Sequence, residues 1–167
     1  MVKIEAVYEK FKKYKKGRKI IEAEEMKMED LNFKGKEQQK LRKFAIVVPF
    51  RDNKYQNRAG QLKKFVPDML KFLEKGVKRL GLEGKREYNI IIVEQSDDDL
   101  GFNRGQLLNI GFNLCRESGF DYVVFHDVDL VSKKGEGAEW YLWYPETPVH
   151  IGGGWKDVFV VFQAHQP

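Results

Sequence analysis

The stretch FAIVVPFRD, residues 44–52, decides the fold class of this chain of 167 residues. Its first six residues are apolar and rich in β-branched side chains without alternation, which is typical of a strand buried on both faces of a parallel sheet. YNIIIV at residues 88–93 and YVVFH at residues 122–126 repeat this character. Helix-like stripes separate the three runs, so the pattern predicts an α/β fold with a mostly parallel sheet and flanking helices.

The two connecting segments each predict one helix. The first has an apolar stripe at a period of 3.6 residues, and Pro67 is expected to kink or split it: Leu62, Phe65, Val66, Met69, Leu70 and Leu73. The second has a similar stripe: Leu107, Leu108, Gly111, Leu114 and Cys115. We expect right-handed crossovers, ligands at the carboxyl ends of the strands, and a further strand over residues 157–162.

Charge divides the chain into two parts. Residues 1–43 contain 14 Lys/Arg and 8 Asp/Glu, so their net charge is 14 − 8 = +6, whereas that of the whole chain is +5. We predict a basic helical N-terminal arm at residues 1–43, with a helix over 3–16 and a second short helix, and one folded domain at residues 44–167. Glutamates among the lysines favour a solvated helical face over an anionic-surface site, so no nucleic-acid partner is predicted.

The composition gives no sign of a membrane span or a disulfide framework. The longest apolar stretches are far shorter than the roughly 20 residues that cross a bilayer. No secretory signal follows Met1, so the chain as given is expected to be soluble. Cys115 is the only cysteine and lies on an apolar helix face, where we expect a buried thiol.

The first candidate motif is PFRDN, residues 49–53, at the end of the first predicted strand. The guanidinium of Arg51 can pair with a phosphate or brace an acidic side chain, and the ring of Phe50 can stack on a base. The alternative is a surface loop with one salt bridge. The location at a ligand-binding edge favours the functional interpretation.

The second candidate motif is GFNRG, residues 101–105, after the second predicted strand. Asn103 is a good N-cap for the following helix, whose N-terminal amides suit a diphosphate, and Arg104 adds a full positive charge. Phe102 is either a platform for a base or a hydrophobic staple residue. The aspartates at residues 97–99 are expected to form a solvated loop, because consecutive side chains cannot point at one ion.

The third candidate motif is HDVDL, residues 126–130. Side chains of an extended chain alternate, so we expect Asp127 and Asp129 to point the same way and to meet a divalent cation with its diphosphate. This is the chemistry of a sugar-nucleotide site. The same alternation turns His126 away, and we expect it to pack in the core.

In order and spacing, three motifs resemble those of the β-1,4-galactosyltransferases: VPFRD at 48–52, FNR at 102–104 together with LLNIGF at 107–112, and HDVDL at 126–130. Details are most similar to the branch that transfers galactose to xylose in the proteoglycan linker: FVP at 65–67, YP at 144–145 and VHIG at 149–152. The resemblance covers residues 44–154. Three ordered motifs are far more specific than any one of them.

The resemblance implies a GT-A nucleotide-sugar-binding fold, with residues 44–167 as the donor-binding domain. It implies transfer of galactose from UDP-galactose to a sugar hydroxyl with inversion, and Mn²⁺, or else Mg²⁺, as the cofactor. The implied partners are a UDP-sugar donor and a sugar or glycoconjugate acceptor. Asp129 would be the direct metal ligand. The residues implied in nucleotide-sugar binding are Pro49, Phe50, Arg51 at the UDP moiety, Phe102 against uracil, Arg104 at the nucleotide loop and Asp127 towards the ribose and diphosphate.

Two departures from the family pattern bear on function. The family's second arginine, two places after the first, is Asn53 here, which implies a lower nucleotide affinity. The family's catalytic base and remaining metal ligands belong to a C-terminal segment that residues 1–167 do not contain, so we assign no catalytic residue and expect a GT-A fold truncated at the C-terminus. The alternative function is a non-catalytic UDP-sugar-binding or interaction module. A fragment of a family-like enzyme would lie in the Golgi lumen, and a complete chain would be cytoplasmic.

Overall fold

The computed structural model describes residues 21–22, 31–52, 55–97, 100–130, 137–146, 148–150 and 160–163. The strands are β1 (Ile21–Glu22), β2 (Arg42–Phe50), β3 (Arg86–Glu94), β4 (Tyr122–Phe125), β5 (Val149–His150) and β6 (Val160–Gln163). The helices are α1 (Lys36–Gln39), α2 (Arg58–Leu80), α3 (Arg104–Glu117) and α4 (Ala138–Leu142).

These strands form one sheet in the order β1-β5-β6-β4-β2-β3. Its centre is parallel, because β2 pairs with β3 on one side and with β4 on the other, so that Phe44 lies beside both Tyr88 and Tyr122. β1 runs parallel to β5, whereas β6 runs antiparallel to β4 and β5. The predicted α/β fold with a mostly parallel sheet is confirmed, and β2, β3 and β4 are the three strands expected from the sequence.

Both faces of β2 are buried, which explains why its sequence does not alternate. One face joins the larger apolar cluster, to which α2 and α4 also contribute, through Phe44, Ile46, Val48 and Phe50. The other face joins a second cluster with α3, through Ala45 and Val47. The β2–β3 and β3–β4 crossovers run in opposite directions across the sheet, so crossovers of one hand place α2 and α3 on opposite faces. In open α/β sheets such a change of face marks the place where a ligand crevice forms, here between the carboxyl ends of β2 and β3.

Two glycines allow helices to lie unusually close to their neighbours. A Cβ atom on Gly111 of α3 would lie 2.3 Å from Cγ1 of Val47 in β2. A Cβ atom on Gly76 of α2 would lie 2.5 Å from Cβ of Ala138 in α4. Carbon atoms in contact are normally about 3.5 to 4.0 Å apart. A larger residue at either glycine would therefore push its helix away.

Some predicted elements differ from the observed ones. α2 continues through Pro67 as one helix of 23 residues, so the split expected there does not occur. Proline removes one backbone hydrogen bond, and tertiary packing of an amphipathic face can offset that loss. The helix predicted over residues 3–16 lies outside the described residues, and of the strand predicted over 157–162 only the part from Val160 is described. No helix in the described part of the chain is long and apolar enough to cross a membrane.

A buried polar network joins the segment before β2 to the end of α4. Nε of Arg86 donates to the carbonyl oxygen of Leu142 at 2.6 Å, and Nη2 donates to Oε1 of Gln38 at 3.0 Å. The amide of Gln38 in turn donates to the carbonyl oxygen of Tyr144 at 2.7 Å. Arg86 is the first residue of β3, so this network lies at the amino edge of the sheet, opposite the loops that follow the strands.

Cys115 lies on the inner face of α3, and its side chain is buried, as predicted. Burial raises the pKa of its thiol to about 11. The thiol is therefore protonated at neutral pH and behaves as a small apolar group.

Candidate functional site

The three sequence motifs meet at one edge of the sheet. β2, β3 and β4 are parallel, so the loops that follow Phe50, Glu94 and Phe125 all leave from the same edge. The backbone amide of Gln95 donates to the carbonyl oxygen of Phe50 at 2.9 Å, which holds the first two loops together where the strands end. This is the position at which open α/β sheets bind ligands.

The loop after β2 directs Arg51 across to the second loop. Nη1 of Arg51 donates to the carbonyl oxygen of Leu100 at 2.5 Å, and Nη2 lies 3.7 Å from Oδ1 of Asp97, whose carboxylate is fully exposed. Pro49 is buried in β2 beside Val93. The guanidinium thus braces the second loop at the crevice.

Phe50 does not match the stacking role that the sequence suggested for its ring. Its side chain is 4% exposed and belongs to the larger apolar cluster. The period of two in β2 sends Phe50 to the same face as Val48, which points into the core. The contribution of Phe50 to this edge is its carbonyl oxygen, which accepts from Gln95.

Gln95 organises the second loop, and sequence reasoning missed this residue. Its Nε2 donates to the carbonyl oxygen of Gly101 at 3.1 Å, and its Oε1 accepts from the backbone amide of Asn103 at 2.8 Å. Asn103 caps α3 as predicted, because its Oδ1 accepts from the backbone amide of Gln106 at 3.1 Å. The side chain of Phe102 is 49% exposed beside this cap, so part of its surface is accessible to a ligand.

The third loop is a turn rather than a continued strand. β4 ends at Phe125, and the amide of Leu130 donates to the carbonyl oxygen of Asp127 at 3.3 Å. The expectation that strand alternation aligns Asp127 and Asp129 is therefore wrong, because both residues lie beyond the end of the strand. Val128 between them is buried in the larger cluster, and the flanking carboxylates are 36% and 41% exposed. The turn, anchored by this valine, presents both acids at the edge.

His126 is a core residue, as the sequence predicted. It is 1% exposed, and its ring lies 5.0 Å from that of Phe65 and 5.9 Å from that of Tyr141, measured between centroids. Nδ1 lies 2.7 Å from the carbonyl oxygen of Asp127. Burial lowers the pKa of His126 to about 4, so the imidazole is neutral at physiological pH. At this edge His126 supports the turn through its contact with the backbone of Asp127.

Each aspartate of the turn is paired with an arginine from a different helix. Nε and Nη2 of Arg104 lie 2.9 and 3.3 Å from Oδ1 and Oδ2 of Asp127, which is a two-point contact. Nη1 of Arg58 lies 2.8 Å from Oδ2 of Asp129. Arg104 was a predicted site residue, whereas Arg58 was not. The signal that could have identified Arg58 is its position as the first residue of a helix.

Arg58 and Arg104 occupy the first positions of α2 and α3, and neither helix has an acidic residue in its first turn. The N-terminus of a helix is its positive end, where a cation is unfavourable by about 0.3 to 1 kcal/mol. Local helix stability therefore does not account for either arginine. What they share is the acidic turn that both contact.

The turn can hold part of a metal site. Among the described residues no group of three His, Cys, Asp or Glu side chains could enclose a metal ion. Mg²⁺ and similar ions commonly bind through one or two carboxylates together with water and substrate phosphate oxygens. Asp129 fits that mode, because its carboxylate is partly exposed and takes its hydrogen bond from Arg58 through Oδ2 alone.

Comparison with known protein families supports the resemblance predicted from the motifs. Residues 4–139 match the family described as the N-terminal region of glycosyl transferase group 7. This match includes all three loops of the edge, and it extends into the segment before β2.

Several curated proteins are similar over part of the chain. A xylosylprotein 4-beta-galactosyltransferase of Caenorhabditis elegans is 37% identical over 89 residues, which are 53% of this chain and 26% of that protein. The beta-1,4-galactosyltransferase 7 of Drosophila melanogaster is 36% identical over 116 residues, 68% of this chain and 30% of that protein. The human beta-1,4-galactosyltransferase 7 is 36% identical over 89 residues, which are 53% of this chain and 23% of that protein. The chain thus spans less than a third of the length of these relatives.

Proposed function

Since the chain belongs to glycosyl transferase group 7, we propose that it forms the donor-binding part of a metal-dependent galactosyltransferase. Such an enzyme would transfer galactose from UDP-galactose to a sugar hydroxyl with inversion. The observation that carries the proposal is the acidic turn, Asp127 to Asp129, with an arginine on each aspartate at the carboxyl edge of the sheet. The resemblance to the β-1,4-galactosyltransferases implies the Golgi lumen as the compartment of such an enzyme.

The diphosphate of the donor would lie over the start of α3. Backbone amides at a helix N-terminus bind phosphate well, and the guanidinium of Arg104 adds a charge at the same place. Arg51 reaches this loop from β2 through Leu100 and would face the UDP moiety. Phe102, which is half exposed beside the cap, would lie against uracil and contribute stacking energy.

Asp129 would hold the cation, Mn²⁺ or Mg²⁺, together with phosphate oxygens of the donor. A bound cation neutralises the diphosphate and so assists its departure from the sugar. Asp127, already paired with Arg104 at both carboxylate oxygens, would orient that arginine towards the nucleotide. We assign no general base, and the acceptor is a sugar or glycoconjugate of the kind that the names of the relatives indicate.

Calorimetric titration of UDP in the presence and absence of Mn²⁺ tests the donor site. We expect Mn²⁺ to strengthen UDP binding at least tenfold or so, and uridine, which lacks the diphosphate, to show no such dependence. A UDP affinity that does not depend on Mn²⁺, or a uridine affinity equal to that of UDP, would contradict the proposal.

Turnover is tested separately with UDP-galactose and a xyloside. Release of UDP together with a new galactosyl-xyloside product is the expected result for an enzyme. Mn²⁺-dependent UDP binding without hydrolysis or transfer would instead favour a non-catalytic UDP-sugar-binding module.

A further inference from the structure

We propose that Arg58 is an internal counter-ion for Asp129: it occupies the cation's carboxylate in the free protein and turns to the donor diphosphate when cation and nucleotide bind. This inference rests on the proposed function and adds a residue that the motifs did not include. It starts from one contact, the 2.8 Å pair between Nη1 of Arg58 and Oδ2 of Asp129.

The start of α2 holds Arg58 in place. Oδ1 of Asp52 accepts from the backbone amide of Ala59 at 3.1 Å, and Nε of Arg58 donates to Oε1 of Gln56 at 3.2 Å. Asn57 has a left-handed backbone, with a φ of 46°. These contacts lie at the start of the helix, and Nη1 of Arg58 reaches the acidic turn.

The helix itself gains nothing from this arginine. Arg58 lies at the positive end of α2, where the helix dipole disfavours a cation. A residue that opposes its local environment is best explained by a function at a longer range. The contact of Arg58 that spans the longest sequence separation is Asp129, 71 residues away along the chain.

The two arginine–aspartate pairs differ in how completely they use the carboxylate. Arg104 engages both oxygens of Asp127, which is the stronger two-point arrangement. Arg58 engages one oxygen of Asp129, and both side chains of this pair are partly exposed, at 26% and 41%. Partly exposed single contacts contribute about 0.2 to 1 kcal/mol. A divalent cation can therefore displace Arg58, whereas Arg104 keeps its partner.

Displacement places Arg58 beside the donor. A guanidinium and a divalent ion on the same carboxylate repel each other, so arrival of the cation weakens the contact of Arg58 with Oδ2 and favours its release. The diphosphate carried by that cation is then the closest large anion, and arginine pairs well with phosphate oxygens. Arg58 would thus weaken binding of the free cation and strengthen binding of the nucleotide.

These opposite effects provide the test. We would compare Arg58→Ala with Lys64→Ala, which removes one positive charge from an exposed position on the same helix. The affinity for Mn²⁺ is measured without nucleotide, from the electron paramagnetic resonance signal of unbound Mn²⁺. The affinity for UDP is measured by calorimetry at saturating Mn²⁺. We expect Arg58→Ala to bind Mn²⁺ about two- to fivefold more tightly and UDP about tenfold more weakly. Lys64→Ala should change neither value by more than about 1.5-fold.

Arg58→Lys extends the comparison, because lysine keeps the charge but cannot form the forked contact. It should give values between those of the wild type and Arg58→Ala. Melting temperatures within about 2 °C of the wild type would show that the variants are folded, as expected for the loss of an unfavourably placed cation.

The proposal is overturned if Arg58→Ala leaves Mn²⁺ affinity unchanged or reduces it, or if UDP binding is unaffected. Such a result, in a protein whose UDP binding still depends on Mn²⁺, would reject the role of Arg58 and leave the donor site intact. A wild-type protein without any Mn²⁺-dependent UDP binding would reject both.

Discussion

Gly111→Ala adds a single methyl group at the interface between α3 and the sheet. The new Cβ would lie 2.3 Å from Cγ1 of Val47 and 3.0 Å from Cγ2 of Val93. Carbon atoms normally stay about 3.5 to 4.0 Å apart, so α3 must move outward by more than about 1 Å to accept the methyl group. Val47 is fully buried and β-branched, which prevents it from rotating away.

The expected effect is the balance of two opposing terms. Overpacking a core of this kind costs about 1 to 3 kcal/mol. Replacing glycine by alanine inside a helix recovers about 1 kcal/mol. We therefore expect Gly111→Ala to lower the free energy of unfolding by up to about 2 kcal/mol. For a chain of this size that corresponds to a drop in melting temperature of up to about 8 °C.

Gly105→Ala in the same helix is the matched control. Around Gly105 the nearest atom to an added Cβ is Oδ1 of Asn103, at 4.0 Å, so the methyl group fits without a clash. Chemical denaturation followed by circular dichroism should show Gly105→Ala unchanged or more stable. Gly111→Ala should also weaken UDP binding, because Arg104 lies at the start of the displaced helix. Equal stability of the two variants would refute the close-packing argument for α3.

Three further perturbations test other parts of the structure. Arg86→Ala leaves the carbonyl oxygen of Leu142 without its buried side-chain donor and removes one of the two donors to Oε1 of Gln38, and urea denaturation should show a loss of about 3 kcal/mol; Lys78→Ala, at the exposed pair with Glu74, should lose less than half of that. Asn103→Ala removes the cap on α3, so the protein should lose about 1 kcal/mol and bind UDP more weakly, whereas unchanged stability would contradict the capping role. The Cys115 thiol, with its pKa raised to about 11 by burial, should react with a disulfide reagent at pH 8 more than about 100-fold more slowly in the native protein than in denaturant, and fast native labelling would be inconsistent with a buried α3 face.

The central strands and their motifs could be predicted from the sequence because their signals are local. The unbroken apolar run in β2 reflects burial on both faces, and the cap at Asn103 reflects the first turn of α3. The position of the motifs at one edge follows from the parallel arrangement alone. The resemblance to a known family required no more than the order of these motifs.

Other features depend on contacts that sequence spacing does not reveal. Arg58 meets Asp129 across 71 residues, and Gln95 meets Asn103 only after the loop has folded. The period of two does predict a core position for Phe50, but its place in a motif suggested a ligand instead. The turn at Asp127 and the placement of β6 between β4 and β5 are likewise consequences of tertiary packing.

The most direct test of the donor site is the Mn²⁺ dependence of UDP binding in Asp129→Asn. Asparagine keeps the size of the side chain and removes the charge that a hard cation needs. Asp68→Asn is the matched control, because residue 68 lies about 15 Å along α2 from Arg58. We expect the wild type and Asp68→Asn to bind UDP at least tenfold or so more tightly with Mn²⁺, and Asp129→Asn to show no gain. A full Mn²⁺-dependent gain in Asp129→Asn would contradict the assignment of the acidic turn as the donor site.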